Sequence, residues 1–154
     1  MKYSTRLSDA IHILVLIEIN ELGSLSSAAI ANSIRTNPGF VRQLMMALRK
    51  GQILNSVQGH AKPSLTRSPE KITILDIYKA VEGDKPLLHM DTHTNPECGT
   101  GINIQLSLQH FYDEIQKATE NHMAQITLHD IIMRYRELLS NTHDFCEAMS
   151  KMYD

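Results

Sequence analysis

A chain of 154 residues, 42% of them hydrophobic but only 5% aromatic and none tryptophan, suffices for one modest aliphatic-cored domain plus an extended element. Two cysteines exclude a disulfide scaffold, no apolar run approaches the roughly 18 residues that span a bilayer, and Ile11–Ile19 lacks the small-residue site of a signal peptide, so a cytoplasmic protein is expected. The net charge of −2 conceals an asymmetry: residues 1–70 carry eight Lys/Arg against four acids, and between Glu21 and Glu70 there is no carboxylate, as suits a surface facing phosphates.

Tyr3, Leu7, Ile11, Leu14 and Val15 have helical spacing, which predicts a first helix from about Thr5 to Glu21, stopped before Gly23. Ser24 or Ser26 can cap a second, small-residue helix over Ser27–Ile34. After a short turn, Asn37 is an N-cap and Pro38 a first-turn proline for a third helix, Pro38–Lys50, with Val41, Leu44, Met45 and Leu48 inward and Gly51 as its C-cap glycine. Helix, three-residue turn, helix is the helix-turn-helix spacing. Ile53–Val57 alternates as a strand, 58–63 is turn-rich, and Ser64-Leu65-Thr66 returns as its partner, so a two-stranded wing follows the reading helix. A fourth helix is predicted over Ile72–Val81, ended by Gly83.

Gly, Pro, Asn and Asp make Leu87–Gly101 a loop. Beyond it Leu108, Phe111, Tyr112, Ile115, Ala118, Met123 and Ile126 recur at helical spacing, and a two-fold partner is the expected host for that stripe; Leu108, Phe111, Tyr112, Ile115 and Met123 are the candidate dimer-interface residues. Thr127 caps a further helix, Leu128–Leu139, and Asp144–Met152 suggests a short last one. The fold class is therefore mainly α with a small β wing. Residues 1–84 form a winged helix-turn-helix domain, 85–101 a sensor-type loop, 102–126 a dimerisation helix, and 127–154 helices packing back on the dimer.

The candidate DNA-binding residues follow from that layout. Ser26, Ser27, Thr36 and Asn37 stand at helix amino ends, whose free N–H groups hold phosphates. Gly39, Phe40, Arg42 and Gln43 occupy the first turns of the reading helix: Arg42 suits guanine, Gln43 adenine and Phe40 a thymine methyl. Gln58, His60 and Lys62 at the wing tip suit the minor groove. The expected partner is double-stranded DNA. No phosphate-binding glycine loop, nucleophile elbow or paired carboxylates point to an enzyme. A winged-helix protein–protein adaptor without sequence-specific DNA binding is the alternative, told apart by the salt dependence of duplex binding.

The opening Met-Lys-Tyr-Ser, "AAIANSIRTNPGFVRQLMMALRKGQILNSVQG", "SPEKITILDIYKAVEG" and "TLHDI" together resemble the Rrf2 family of winged-helix regulators, the IscR, NsrR and CymR type, over nearly the whole chain. The resemblance implies a homodimer whose long helix crosses its mate, and regulation, most simply repression, of nearby promoters. Two departures stand out. The family's wing carries Arg-Gly and Gly-Gly-Tyr where this chain has Gln58-Gly59 and Lys62-Pro63-Ser64, which shifts the expected wing contact to Lys62. Cluster-sensing members have three close cysteines before the dimerisation helix; here only Cys98 stands there and Cys146 lies far off, so no iron–sulfur cluster and no cofactor are expected. Cys98, in a polar loop at a helix start, is a candidate redox sensor, with Cys146 either its disulfide mate in the partner subunit or a buried structural residue; the alternative is a leftover loop cysteine, with signalling through a small-molecule effector or a partner protein. His89, His93 and Cys98 form a loose His-x3-His-x4-Cys set with no fourth zinc ligand, so no metal site is expected.

Overall fold

The computed structural model describes residues 4–20, 25–55 and 62–140. The expected Gln58, His60 and Cys146, and the last helix at 144–152, lie outside the described residues.

Helix α1 (Arg6–Ile19) buries Ala10, Ile13, Leu14 and Ile17, the i, i+3, i+4, i+7 stripe of an amphipathic helix, and ends at Asn20 in the left-handed region. Helix α2 (Ser27–Ile34) is capped by Ser26, whose Oγ accepts the Ala29 N–H at 3.2 Å. Arg35, left-handed at φ 59°, turns the chain into α3 (Pro38–Lys50). There Asn37 Oδ1 accepts the Phe40 N–H at 2.9 Å, and Val41, Leu44 and Leu48 are buried against α1 and α2.

Gly51 is not the left-handed cap its position suggests: its φ is −75°, and the following Gln52 takes the positive φ of 56°. The glycine is needed for closeness instead. A Cβ there would stand 2.6 Å from the Cβ of Ala80, so α3 and the next helix touch at this point.

Strands β1 (Leu54–Asn55) and β2 (Ser64–Leu65) pair antiparallel, Leu54 opposite Leu65; residues 56–61, which include the rest of the expected first strand, lie outside the described residues. A single 3-10 turn, Pro69–Lys71, leads to α4 (Ile74–Glu82), which begins two residues later than predicted. Ile72 is extended because it pairs with a distant segment: the Leu128 N–H donates to the Ile72 carbonyl at 2.8 Å and the Ile74 N–H to the Ile126 carbonyl at 2.9 Å. This antiparallel bridge sets Thr73 beside Thr127. Each heads a helix through a capping box, Thr73 with Asp76 on α4 and Thr127 with Asp130 on α6 (Leu128–Ser140).

Helix α5 (Gly99–Met123) starts inside the segment predicted as loop and stops short of Ile126. Gly99 and Gly101 are helical; at Gly101 a Cβ would lie 3.0 Å from Thr94, so the glycine lets the preceding loop fold over the helix start. No residue of α5 is buried. Among the described residues no helix is long and apolar enough to cross a membrane.

Candidate nucleic-acid interface

Helix α3 is the second helix of the helix-turn-helix, and its burial pattern fixes which residues it offers outward. With Val41, Leu44 and Leu48 in the core, 3.6-residue periodicity turns Arg42, Gln43, Met46, Arg49 and Lys50 to solvent, and all five are exposed. The outward face thus holds three cations, one amide and no carboxylate. Asn37 is exposed, with its side-chain oxygen spent on the cap; Thr36, Ser26, Ser27 and Gly39 are half-buried around the two helix amino ends.

Phe40 departs from its expected place on the outward face. It is half-buried and packs against the core cluster, while lining a cleft of about 670 Å³ with Arg6, Asp9, Arg35, Thr36 and Asn37. Lys62 is exposed beside the buried Pro63 at the start of β2.

The wing's footing depends on a residue that the sequence did not mark. The Arg67 guanidinium donates from Nη1 to the Gln52 carbonyl at 2.9 Å, from Nε to the Lys71 carbonyl at 2.8 Å, and from Nη2 to Asp76 Oδ2 at 3.0 Å. The Gln52 carbonyl also accepts the Thr66 hydroxyl at 2.6 Å. One side chain thereby ties the end of α3, both wing strands' roots and the start of α4. Its one sequence signal was the Thr73-x-x-Asp76 box that places its carboxylate partner. Burial opposes ionisation of Asp76, but hydrogen bonds from Thr73 and Arg67 outweigh it and hold the carboxyl below the ordinary aspartate range.

On α5, Ile104, Leu108, Phe111 and Ile115 form one exposed stripe, with Phe111 57% and Ile104 54% accessible. Tyr112 and Met123 are half-buried on the neighbouring flank, which they share with Gln116 and Glu120 and which faces α4. Cys98 is exposed and heads α5, its Sγ accepting the Gly101 N–H at 3.4 Å. His93 lies 3.4 Å from Asp91, and among the described residues no three of His, Cys, Asp and Glu gather as a metal site.

Known proteins share this arrangement. A family model described as Rrf2, iron-dependent transcriptional regulator, matches residues 3–134. YwnA of Bacillus subtilis (strain 168), named as an HTH-type transcriptional regulator, is 38% identical over 129 residues, covering 84% of this chain and 96% of YwnA. A crystal structure described as that of a DNA binding protein is 37% identical, with a TM-score of 0.67 over 82% of this chain and 98% of its own. CymR, described as the global cysteine regulator of B. subtilis, is 20% identical and shares the fold, with a TM-score of 0.61 over 86% of this chain and 97% of its own. With its winged helix-turn-helix and a match across most of its length, the chain belongs to the Rrf2 family, whose members are DNA-binding transcriptional regulators and not enzymes.

Proposed function

We propose that the chain acts in the cytoplasm as a homodimeric repressor that reads a pseudo-palindromic operator with α3 and touches the adjacent groove with the wing. The outward face of α3 carries this reading: Arg42, Gln43, Arg49 and Lys50 are all exposed in a segment with no carboxylate between Glu21 and Glu70. The exposed Ile104–Leu108–Phe111–Ile115 stripe supports the dimer, because a long helix with no buried residue needs a partner for its apolar side. A dimer seated on a promoter blocks polymerase with no further contact, which makes repression the simplest outcome.

Selection of bound duplexes from a random library tests this. The expected product has two inverted half-sites about 10 base pairs, or a multiple, apart, bound with an affinity that falls steeply with salt. Binding that is absent or indifferent to salt favours the adaptor reading.

The family model's iron-dependent description does not fit this chain's donor set. A cluster needs about four ligands, mostly thiolate. The chain has two cysteines, of which Cys98 alone stands in the loop before α5. We infer no cluster and no metal cofactor, and read Cys98, exposed at the head of α5, as the place where an oxidant acts. A dimer-sized band on a non-reducing gel after mild oxidation, with altered DNA binding, is the expected result; neither change in wild type would remove Cys98 from the mechanism.

A further inference from the structure

Lys79 stands between two clefts. On one side, a cleft of about 400 Å³ separates α3 from α4 and is lined by Gln43, Met46, Lys50, Gly51, Lys79 and Ala80. Gln43, Met46 and Lys50 belong to the outward face of α3, so the cleft opens on the proposed DNA side. Its floor is the close approach of α3 to α4, where Gly51 meets Ala80. Among the described residues two ammonium groups line it and no carboxylate does.

The other cleft, of about 170 Å³, lies between α4 and α5, with Lys79, Asp84, Lys85, Gln116 and Glu120 on its walls. Here the Lys79 ammonium is 3.5 Å from Glu120 Oε2. Gln116 Nε2 donates to Glu120 Oε1 at 2.7 Å, while Gln116 Oε1 accepts the Leu87 N–H at 2.9 Å. The carboxylate is thus oriented by a side chain that itself holds the loop leading to Cys98. Among the described residues, Lys79 is the charged group that lines both clefts, one beside the reading helix and one beside α5.

We propose that the α3–α4 cleft holds one phosphodiester of the DNA backbone between Lys50 and Lys79, and that Glu120 of α5 competes with this phosphate for Lys79. The proposal rests on the reading of the chain as a DNA-binding regulator and adds a phosphate site outside the helix-turn-helix and wing. An exposed ion pair such as Lys79–Glu120 is weak, whereas a lysine on a phosphate releases a counterion. The phosphate wins the exchange at low salt. Because such coupling is reciprocal, whatever draws Glu120 toward Lys79 weakens DNA binding, and DNA frees Glu120.

The test is a fluorescence-anisotropy titration of the full chain with a labelled random-sequence duplex over a salt series. Lys79→Gln and Lys50→Gln are each expected to reduce the slope of log K against log salt by about 0.9 for every phosphate that is no longer neutralised. Lys85→Gln, which borders only the α4–α5 cleft, leaves the slope unchanged. Glu120→Gln raises affinity about two- to fivefold, the worth of an exposed ion pair, and has no effect in a Lys79→Gln background. An unchanged slope in Lys79→Gln, or an equal reduction in Lys85→Gln, overturns the proposal while leaving the DNA-binding reading intact. A wild-type chain that binds no duplex overturns both. If Lys79→Gln keeps the slope but abolishes a rise in melting temperature caused by inorganic phosphate, the cleft is a free-anion site and the DNA-backbone role is overturned.

Discussion

Arg67 holds Gln52 in place: its Nη1 lies 2.9 Å from the Gln52 carbonyl, and Gln52 keeps a left-handed φ of 56° without being glycine. A non-glycine residue in that region costs free energy unless its surroundings fix it. Here the fixing groups are the Arg67 guanidinium and the Thr66 hydroxyl, both on the return side of the wing.

Arg67→Ala is therefore expected to lower stability by about 1 kcal/mol, since it removes the bonds to the Lys71 carbonyl and Asp76 and leaves the Gln52 carbonyl to the Thr66 hydroxyl alone. Arg67→Lys keeps the charge but not the fork, and is expected to recover only part of the loss. Urea midpoints measure both. A lysine variant as stable as wild type would show that charge alone matters at this position.

The paired capping boxes make stability depend on acid in a stated direction. The Thr127 N–H and hydroxyl lower Asp130, and Asp76 is lowered by Thr73 and Arg67 against the opposing effect of burial. Carboxyls depressed on folding contribute stability that is present above the unfolded pKa and lost as pH falls through the folded one. His12, between α1 and α2 with its Nε2 3.1 Å from Ser33 Oγ, is lowered by burial more than Asp9 raises it. A histidine depressed on folding also favours the folded state above its unfolded value, with the loss beginning below about pH 6.5. Urea midpoints against pH should thus decline in two stages, the first absent in His12→Gln and the second, in the aspartate range, blunted in Asp76→Asn. Thr73→Ala should cost about 1 kcal/mol at neutral pH. A wild-type midpoint flat from neutrality to about pH 5 would rule out the histidine stage.

Where signals were local, the sequence was legible. Ser26 before α2 and Asn37-Pro38 before α3 are caps whose partners lie three residues on, and both helices run as the pattern predicts. Gly51 marked the right place for the wrong reason, because its role is set by Ala80 on another helix. Helix α4 starts two residues after the apolar pattern does, since Ile72, apolar and in phase with the helix, is drawn into an extended bridge by residues 126–128. Gly99 and Gly101 read as loop formers, yet a helix tolerates them when a loop must pass close. Arg67 and Lys79 carry no local mark of their own. Their partners, Gln52, Asp76 and Glu120, come together only in the folded chain.

Arg42 lies near the amino end of α3, where a helix in the major groove meets base edges. Arg42→Ala is expected to flatten preference at one position in each half-site, by about 1–3 kcal/mol between the favoured base and the others. Arg49, near the other end of the helix, is expected to contribute mainly sequence-independent affinity. Competition binding with single-base variants of a selected duplex separates the two. Unchanged discrimination in Arg42→Ala would move base reading to another residue.

The apolar side of α5 sets the last expectation. Ile104, Leu108, Phe111 and Ile115 fall on successive turns and remain exposed, whereas Gln116 and Glu120 on the next flank are occupied by the loop and α4. A two-fold partner laying its own copy of the stripe across this one would bury both without disturbing the winged domain. Phe111→Lys then puts a charge at the centre of the seam, and is expected to weaken association by about 2 kcal/mol or more, some thirtyfold. Sedimentation equilibrium reads this directly, and the unchanged circular dichroism of a folded monomer would separate it from unfolding. Since an inverted repeat is read by two reading helices at once, the same variant should lose most of its preference for a palindrome over a single half-site. A Phe111→Lys protein that remains dimeric would place the interface on a face other than this stripe.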